Sequence, residues 1–253
     1  MKQGEKHPLL KRVIVFCLVT YLSVLVVVGL FQRRLIFFPT HEHPASEYES
    51  WNENGMQIGW KRTVGTPKHI WFFLHGNTGN VLTHSYILKC IPKEDSVYAV
   101  EYPGYGFRDG KASKQSIDTA ADEAFSILRE KNPGTPIVVL GESLGSGPAS
   151  HLARHEKPPE KIILAVPFDN LPSVAQGIIF FLPSKWMLMD RWDNIQSLRN
   201  YTGKMEIYAL ANDKVISVRH ARKLRDAFPN AIYHEGEGVH RDWWMNFGIL
   251  STE

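Results

Sequence analysis

Gly141-Glu142-Ser143-Leu144-Gly145 is the stretch of this chain whose residue types and spacing are best suited to chemistry. A serine hydroxyl is a weak nucleophile at neutral pH, and glycines on either side allow it to sit on a sharp, strained turn between a strand and a helix. Pro136 to Leu140 reads as the strand before it, and a helix-like stretch follows it. Such a serine needs a base, and the base needs a carboxylate to orient it; on this scaffold they follow in the order acid, then histidine. Asp213 stands in the loop after the strand-like run Met205 to Leu210 and is the expected acid. Its other reading is a cap or turn aspartate for the helix containing Val218, Ala221, Leu224 and Phe228. His240 lies on the glycine-rich loop Gly236-Glu237-Gly238-Val239-His240, after the run Ala231 to His234, and is the expected general base. His234, inside a strand, and His220, on a helix rich in charge, are weaker rivals.

Attack on an acyl carbonyl builds an oxyanion, which two backbone N–H groups generally stabilise. The N–H of Leu144 is one expected donor. The other is the N–H of Asn77, in Leu74-His75-Gly76-Asn77-Thr78-Gly79 after an earlier strand, with His75 shaping that loop.

Those residues must be held by a scaffold, and the pattern of the chain indicates which. Apolar or β-rich runs occur at 69–74, 96–102, 136–140, 161–168, 205–210 and 231–234. Between two of them Ile117, Ala120, Ala121, Ala124, Phe125 and Leu128 fall at helical spacing, and Asn132-Pro133-Gly134 ends the helix. Strands alternating with helices predict βαβ units and a mostly parallel sheet, with ligands beyond the carboxyl ends of its strands. With 43% hydrophobic and 22% charged residues in 253, the composition is that of one folded domain rather than a disordered chain.

Val13 to Phe31 is a run of 19 uncharged, largely apolar residues. As a helix it spans about 28 Å, the thickness of a bilayer's hydrocarbon core. It exceeds a signal-peptide core of about 7 to 15 residues, so a retained transmembrane anchor is expected, behind a basic tail at 1–12. Four Lys/Arg precede it and Arg33 and Arg34 follow it, which predicts a cytoplasmic N-terminus and an extracytoplasmic main domain, 33–253. Residues 1–34 carry a net +5 and the remainder −2, so the folded domain offers no basic face for nucleic acid. Two cysteines, Cys17 and Cys90, form neither a disulfide scaffold nor a cysteine zinc cluster. His41, Glu42 and His43 lack a third ligand at suitable spacing, and neither metal nor cofactor is expected. Arg219, His220, Arg222, Lys223 and Arg225 read as the solvent face of a helix. Asn200-Tyr201-Thr202 is a glycosylation sequon, informative in a eukaryote.

Taken in order, Leu-His-Gly-Asn, Glu101-Tyr102-Pro103-Gly104-Tyr105-Gly106, Gly-Glu-Ser-Leu-Gly-Ser-Gly, Asp190-Arg191-Trp192-Asp193-Asn194, Asp213 and His240 resemble the α/β-hydrolase superfamily. With the anchor and Leu35-Ile36-Phe37-Phe38-Pro39, the chain is similar to its membrane-anchored serine hydrolases of the bud-emergence-protein group. The resemblance implies an α/β-hydrolase fold, helices on both faces of the sheet and esterase, thioesterase or lipase-like activity. Pro103, where many relatives have arginine, and Val239, where others have a smaller residue, depart from the pattern without touching the nucleophile. The position of a short cap falls at about 169–203, with Ile178 to Leu182 and Trp186 to Met189 apolar enough to line an acyl pocket or dip into a membrane. The expected partners are therefore the lipid bilayer and an acyl ester or thioester. A non-catalytic membrane scaffold and a serine peptidase are the competing readings.

Overall fold

The computed structural model describes residues 8–252. The basic tail expected at 1–12 lies outside the described residues as far as residue 7, and helix α1 (Pro8–Ile36) begins within it. Its stretch Leu9–Ile36 is long and apolar enough to cross a membrane, and none of its most apolar window is buried inside the protein.

Ten strands follow among the described residues: β1 (Phe38–Pro39), β2 (Glu49–Glu53), β3 (Met56–Arg62), β4 (Ile70–Leu74), β5 (Thr78–Gly79), β6 (Ser96–Val100), β7 (Ile137–Glu142), β8 (Lys161–Ala165), β9 (Lys204–Leu210) and β10 (Ile232–Gly236). Interleaved are α2 (Lys114–Lys131), α3 (Ser146–His151), α4 (Leu171–Ile178), α5 (Ser184–Met187), α6 (Asn194–Leu198), α7 (Arg219–Ala227) and α8 (Trp243–Phe247). The main sheet runs β10-β9-β8-β7-β4-β6-β3-β2, with the six strands from β10 to β6 parallel. The mostly parallel α/β architecture is thus borne out.

Central strands of such a sheet bury both faces and so read as continuous apolar runs. In β4, Ile-Trp-Phe-Phe-Leu, every residue is buried. Ile70, Phe72 and Leu74 join one core with Ala121 and Phe125 of α2 and Ala149 of α3. Trp71 and Phe73 join the other, with Leu82, Ile87 and Trp243.

Three features differ from expectation. The hairpin β2–β3 has no counterpart in the sequence reading, although Asn54-Gly55 at its tip takes positive φ values of 49° and 80°, as a two-residue primed turn requires. The strands expected to reach Tyr102 and Phe168 stop at Val100 and Ala165. Tyr102 instead turns into a loop, its hydroxyl donating to His75 O at 3.0 Å, and Val166 takes a φ of +44°. The solvent-face reading of 219–225 fails at His220. With Ala221 and Leu224 it forms the buried stripe of α7, and it hydrogen-bonds Asp169.

Candidate active site

Ser143 follows β7 directly and holds a φ of +54°, a left-handed conformation that costs a non-glycine residue about 1–3 kcal/mol. Its neighbours must be glycines for steric reasons. A Cβ on Gly145 would stand 2.0 Å from Leu74 O, and one on Gly141 would stand 2.5 Å from both Gly145 O and Ala149 Cβ. The serine turn is therefore wedged between β4 and α3.

Asp213 lies beyond β9, buried. Its Oδ1 accepts the N–H groups of Val215 and Ile216 at 2.8 and 2.9 Å, while Oδ2 lies 2.6 Å from His240 Nδ1. One oxygen makes the turn and the other holds the imidazole, so the two readings of Asp213 describe one side chain. His240 opens a 3-10 turn after β10, reached through Gly238 at a φ of +125°. Its Nε2 lies 2.8 Å from Ser143 Oγ. With Nδ1–H directed to Asp213, Nε2 is free to accept the serine proton.

The rival histidines are engaged elsewhere. His234 stacks on Tyr208, ring centroids 4.4 Å apart, and His220 binds Asp169. His75 is buried against Tyr102 and its Nδ1–H donates to Gly76 O at 2.8 Å. His41 donates to Gly106 O at 2.6 Å. Among the described residues no group of three His, Cys, Asp or Glu could hold a metal ion.

Asn77 and Leu144 border the same cavity as Ser143. The Asn77 peptide is tightly held: its carbonyl accepts from Phe38 N–H at 2.9 Å and Tyr105 O–H at 2.8 Å, and its side-chain amide donates to Ile36 O at 2.8 Å. Parallel pairing of β1 with β5 completes this link between the loop and the end of α1.

Two cavities meet at Ser143. One, of about 180 Å³, is walled by apolar side chains that include Val174, Ile179, Leu182 and Ile216. The other, of about 390 Å³, is less apolar and carries the polar groups of Thr40, Thr78, His84, Tyr86, Glu142 and Arg241 on its border. Tyr86 donates to both Glu142 carboxylate oxygens, at 2.6 and 2.8 Å, and burial together with that carboxylate pushes its phenol pKa up. Burial holds the His84 imidazole below its ordinary pKa, against the pull of Glu142. Sequence reasoning missed this polar wall because its members come from segments without a shared spacing. It also missed Val28, Gly29 and Gln32 of α1, which border the apolar cavity. Gln32, a lone amide near the end of an apolar helix, was the available signal.

Comparison with known proteins bears on the family and the fold. Residues 72–200 match the family described as having the alpha/beta hydrolase fold. An uncharacterized protein of Mycobacterium tuberculosis is 26% identical over 209 residues, 76% of this chain and 74% of that protein. The lysophosphatidylserine lipase ABHD12 of Gallus gallus is 25% identical over 205 residues; the match covers 73% of this chain and 53%, about half, of the lipase. Among solved structures, the Pyrococcus furiosus esterase Pf2001 superposes with a TM-score of 0.63 at 16% identity, covering 81% of this chain and 90% of the esterase.

Proposed function

The chain belongs to the α/β-hydrolase family, and from that premise we propose that it is a membrane-anchored serine hydrolase cleaving carboxylic ester or thioester bonds of lipid or acylated substrates. The carrying observation is the continuous relay from Ser143 Oγ through His240 to Asp213, at 2.8 and 2.6 Å. In this reading His240 Nε2 takes the hydroxyl proton as Ser143 attacks the acyl carbonyl, and Asp213 stabilises the imidazolium that forms. The N–H groups of Asn77 and Leu144 receive the oxyanion. His240 then protonates the departing alcohol or thiol, and water enters by the same route to release the acid from the acyl-enzyme. An apolar cavity on one side of the serine and a more polar one on the other suit an amphiphile, with the acyl chain in the first and the leaving group in the second.

Membrane anchoring is supported by the length and apolar composition of α1, whose end is tied to the domain. Arg33 Nε donates to Asp190 Oδ2 at 2.8 Å, and Asp190 Oδ1 also accepts the N–H of Lys114, at the start of α2. Residues 13–31 would then lie in the bilayer, with the basic N-terminal tail cytoplasmic and the domain, 33–253, on the extracytoplasmic side, its α4–α5 segment dipping into the leaflet. Reporters fused to the C-terminus that are active only in the cytoplasm would reverse that orientation.

The test is turnover of nitrophenyl esters and acyl thioesters by detergent-solubilised protein, beside Ser143→Ala, with fluorophosphonate labelling of the nucleophile. Labelling and turnover lost together in Ser143→Ala, with turnover down by about 10⁶-fold, support the reading. Folded wild-type protein that neither labels nor turns over would favour the scaffold reading instead.

A further inference from the structure

Residues 21, 25, 28, 29, 32 and 36 of α1 lie on one face at helical spacing. That face packs on the α4–α5 segment rather than standing clear of it. Tyr21 O–H donates to Phe181 O at 3.2 Å. Gln32 Nε2 donates to Gly29 O at 2.8 Å and to Met187 O at 3.3 Å, while Gln32 Oε1 accepts Met189 N–H at 2.7 Å. The one amide on this stretch of the face is thus saturated by backbone, and what it leaves beside the cavity is hydrocarbon. Val28, Gly29, Leu35 and Ile36 line the same apolar cavity that reaches Ser143.

If 13–31 span a bilayer, the rise of the helix sets the depth of this contact. Tyr21 lies ten residues before Phe31, about 15 Å along the helix, near the middle of a bilayer about 30 Å thick. With 13–31 in a bilayer, Phe181, bonded to Tyr21, would stand at the level of lipid acyl chains. Around it Ile178, Phe180, Trp186 and Met189 are 63–86% exposed, an apolar surface continuous with α1.

On the reading of Ser143 as nucleophile, we propose that α1 is a wall of the acyl-binding site, and that the substrate is a bilayer-resident amphiphile. Its acyl chain enters sideways from the leaflet on the Arg33 side, between α1 and α4–α5, and its polar group occupies the cavity bordered by Glu142 and Arg241. Specificity for chain length is then set partly by the anchor.

Gly29 provides the test, because a Cβ there would meet only Met187 Cε, at 3.9 Å, so a larger side chain would fill the cavity. Leu30, 74% exposed beside it, is the control position. Full-length protein in phosphatidylcholine nanodiscs would be assayed on nitrophenyl butyrate and nitrophenyl palmitate. Gly29→Trp is expected to lower the palmitate-to-butyrate ratio about tenfold or more, while Leu30→Trp keeps the wild-type ratio. An unchanged ratio in labelled Gly29→Trp protein overturns the proposal. Should Gly29→Trp not fold, the wild type decides, using a hexadecyl fluorophosphonate with a terminal diazirine. Photo-crosslinks from labelled Ser143 to α1 support the proposal, and crosslinks confined to the rest of the domain overturn it. Wild type that neither labels nor turns over either ester would instead remove the serine-hydrolase reading on which the proposal stands.

Discussion

At the scale of single residues, the proposed roles separate groups that would act by side chain from groups that would act by backbone. Asp213→Asn keeps an acceptor for the turn amides but no longer holds the His240 tautomer. Turnover measured against wild type is expected to fall about 10⁴-fold, with little change in thermal midpoint. Asn77→Ala should cost far less than the roughly 10²-fold of a lost oxyanion donor, since its N–H survives; the side-chain bond to Ile36 O is what disappears. A kcat loss in Asn77→Ala as large as that of Asp213→Asn would contradict the backbone role. Ser143, Asp213 and His240 were legible because each follows a recognisable apolar run on a loop rich in glycine or turn residues. Glu142 and Tyr86 were not, since a hydrogen bond between residues 56 apart leaves no local pattern.

Individual elements show where packing, rather than propensity, decides. The β7–α3 turn tolerates only glycine at 145: Gly145→Ala would drive a methyl into the Leu74 carbonyl, and we expect a loss of about 3 kcal/mol or more, read as a lowered thermal midpoint or no folded protein. At the start of α4, burial raises the Asp169 carboxyl pKa, but His220 and Lys223 outweigh it and hold the group at about 2. A carboxyl depressed below its unfolded value near 3.9 contributes stability above that pH and loses it as the pH falls toward 2. Thermal midpoints should therefore drop between about pH 4 and pH 2, and Asp169→Asn should flatten that part of the profile. The central strands could be read from sequence because both faces of a parallel sheet select apolar residues without interruption. The edge hairpin could not be found that way, because β2 reads Glu-Ser-Trp-Asn-Glu with only Trp51 buried, and its one strong signal was the turn Asn54-Gly55.

Across the whole molecule, helix α1 and the α/β-hydrolase domain share a surface. Their contacts, such as Arg33 with Asp190 and Gln32 with Met189, join residues 157 apart, and nothing in hydrophobic periodicity could have paired them. If that surface is immersed in lipid, Trp186, 86% exposed on α5, sits among acyl chains. Brominated phospholipids should quench its fluorescence in nanodiscs, and Trp186→Phe should remove most of the quenching; equal quenching in both would place the lipid contact elsewhere. One further consequence follows from the junction after α1. Only Phe37, itself buried, lies between the helix and β1, whereas a flexible tether gains reach as about 5–6 Å times the square root of its length. If α1 is held in a bilayer, this junction leaves no slack to pay out: the proposed nucleophile would hunt in a plane supplied by lateral diffusion, and an ester carried well above that plane would pass beyond its grasp.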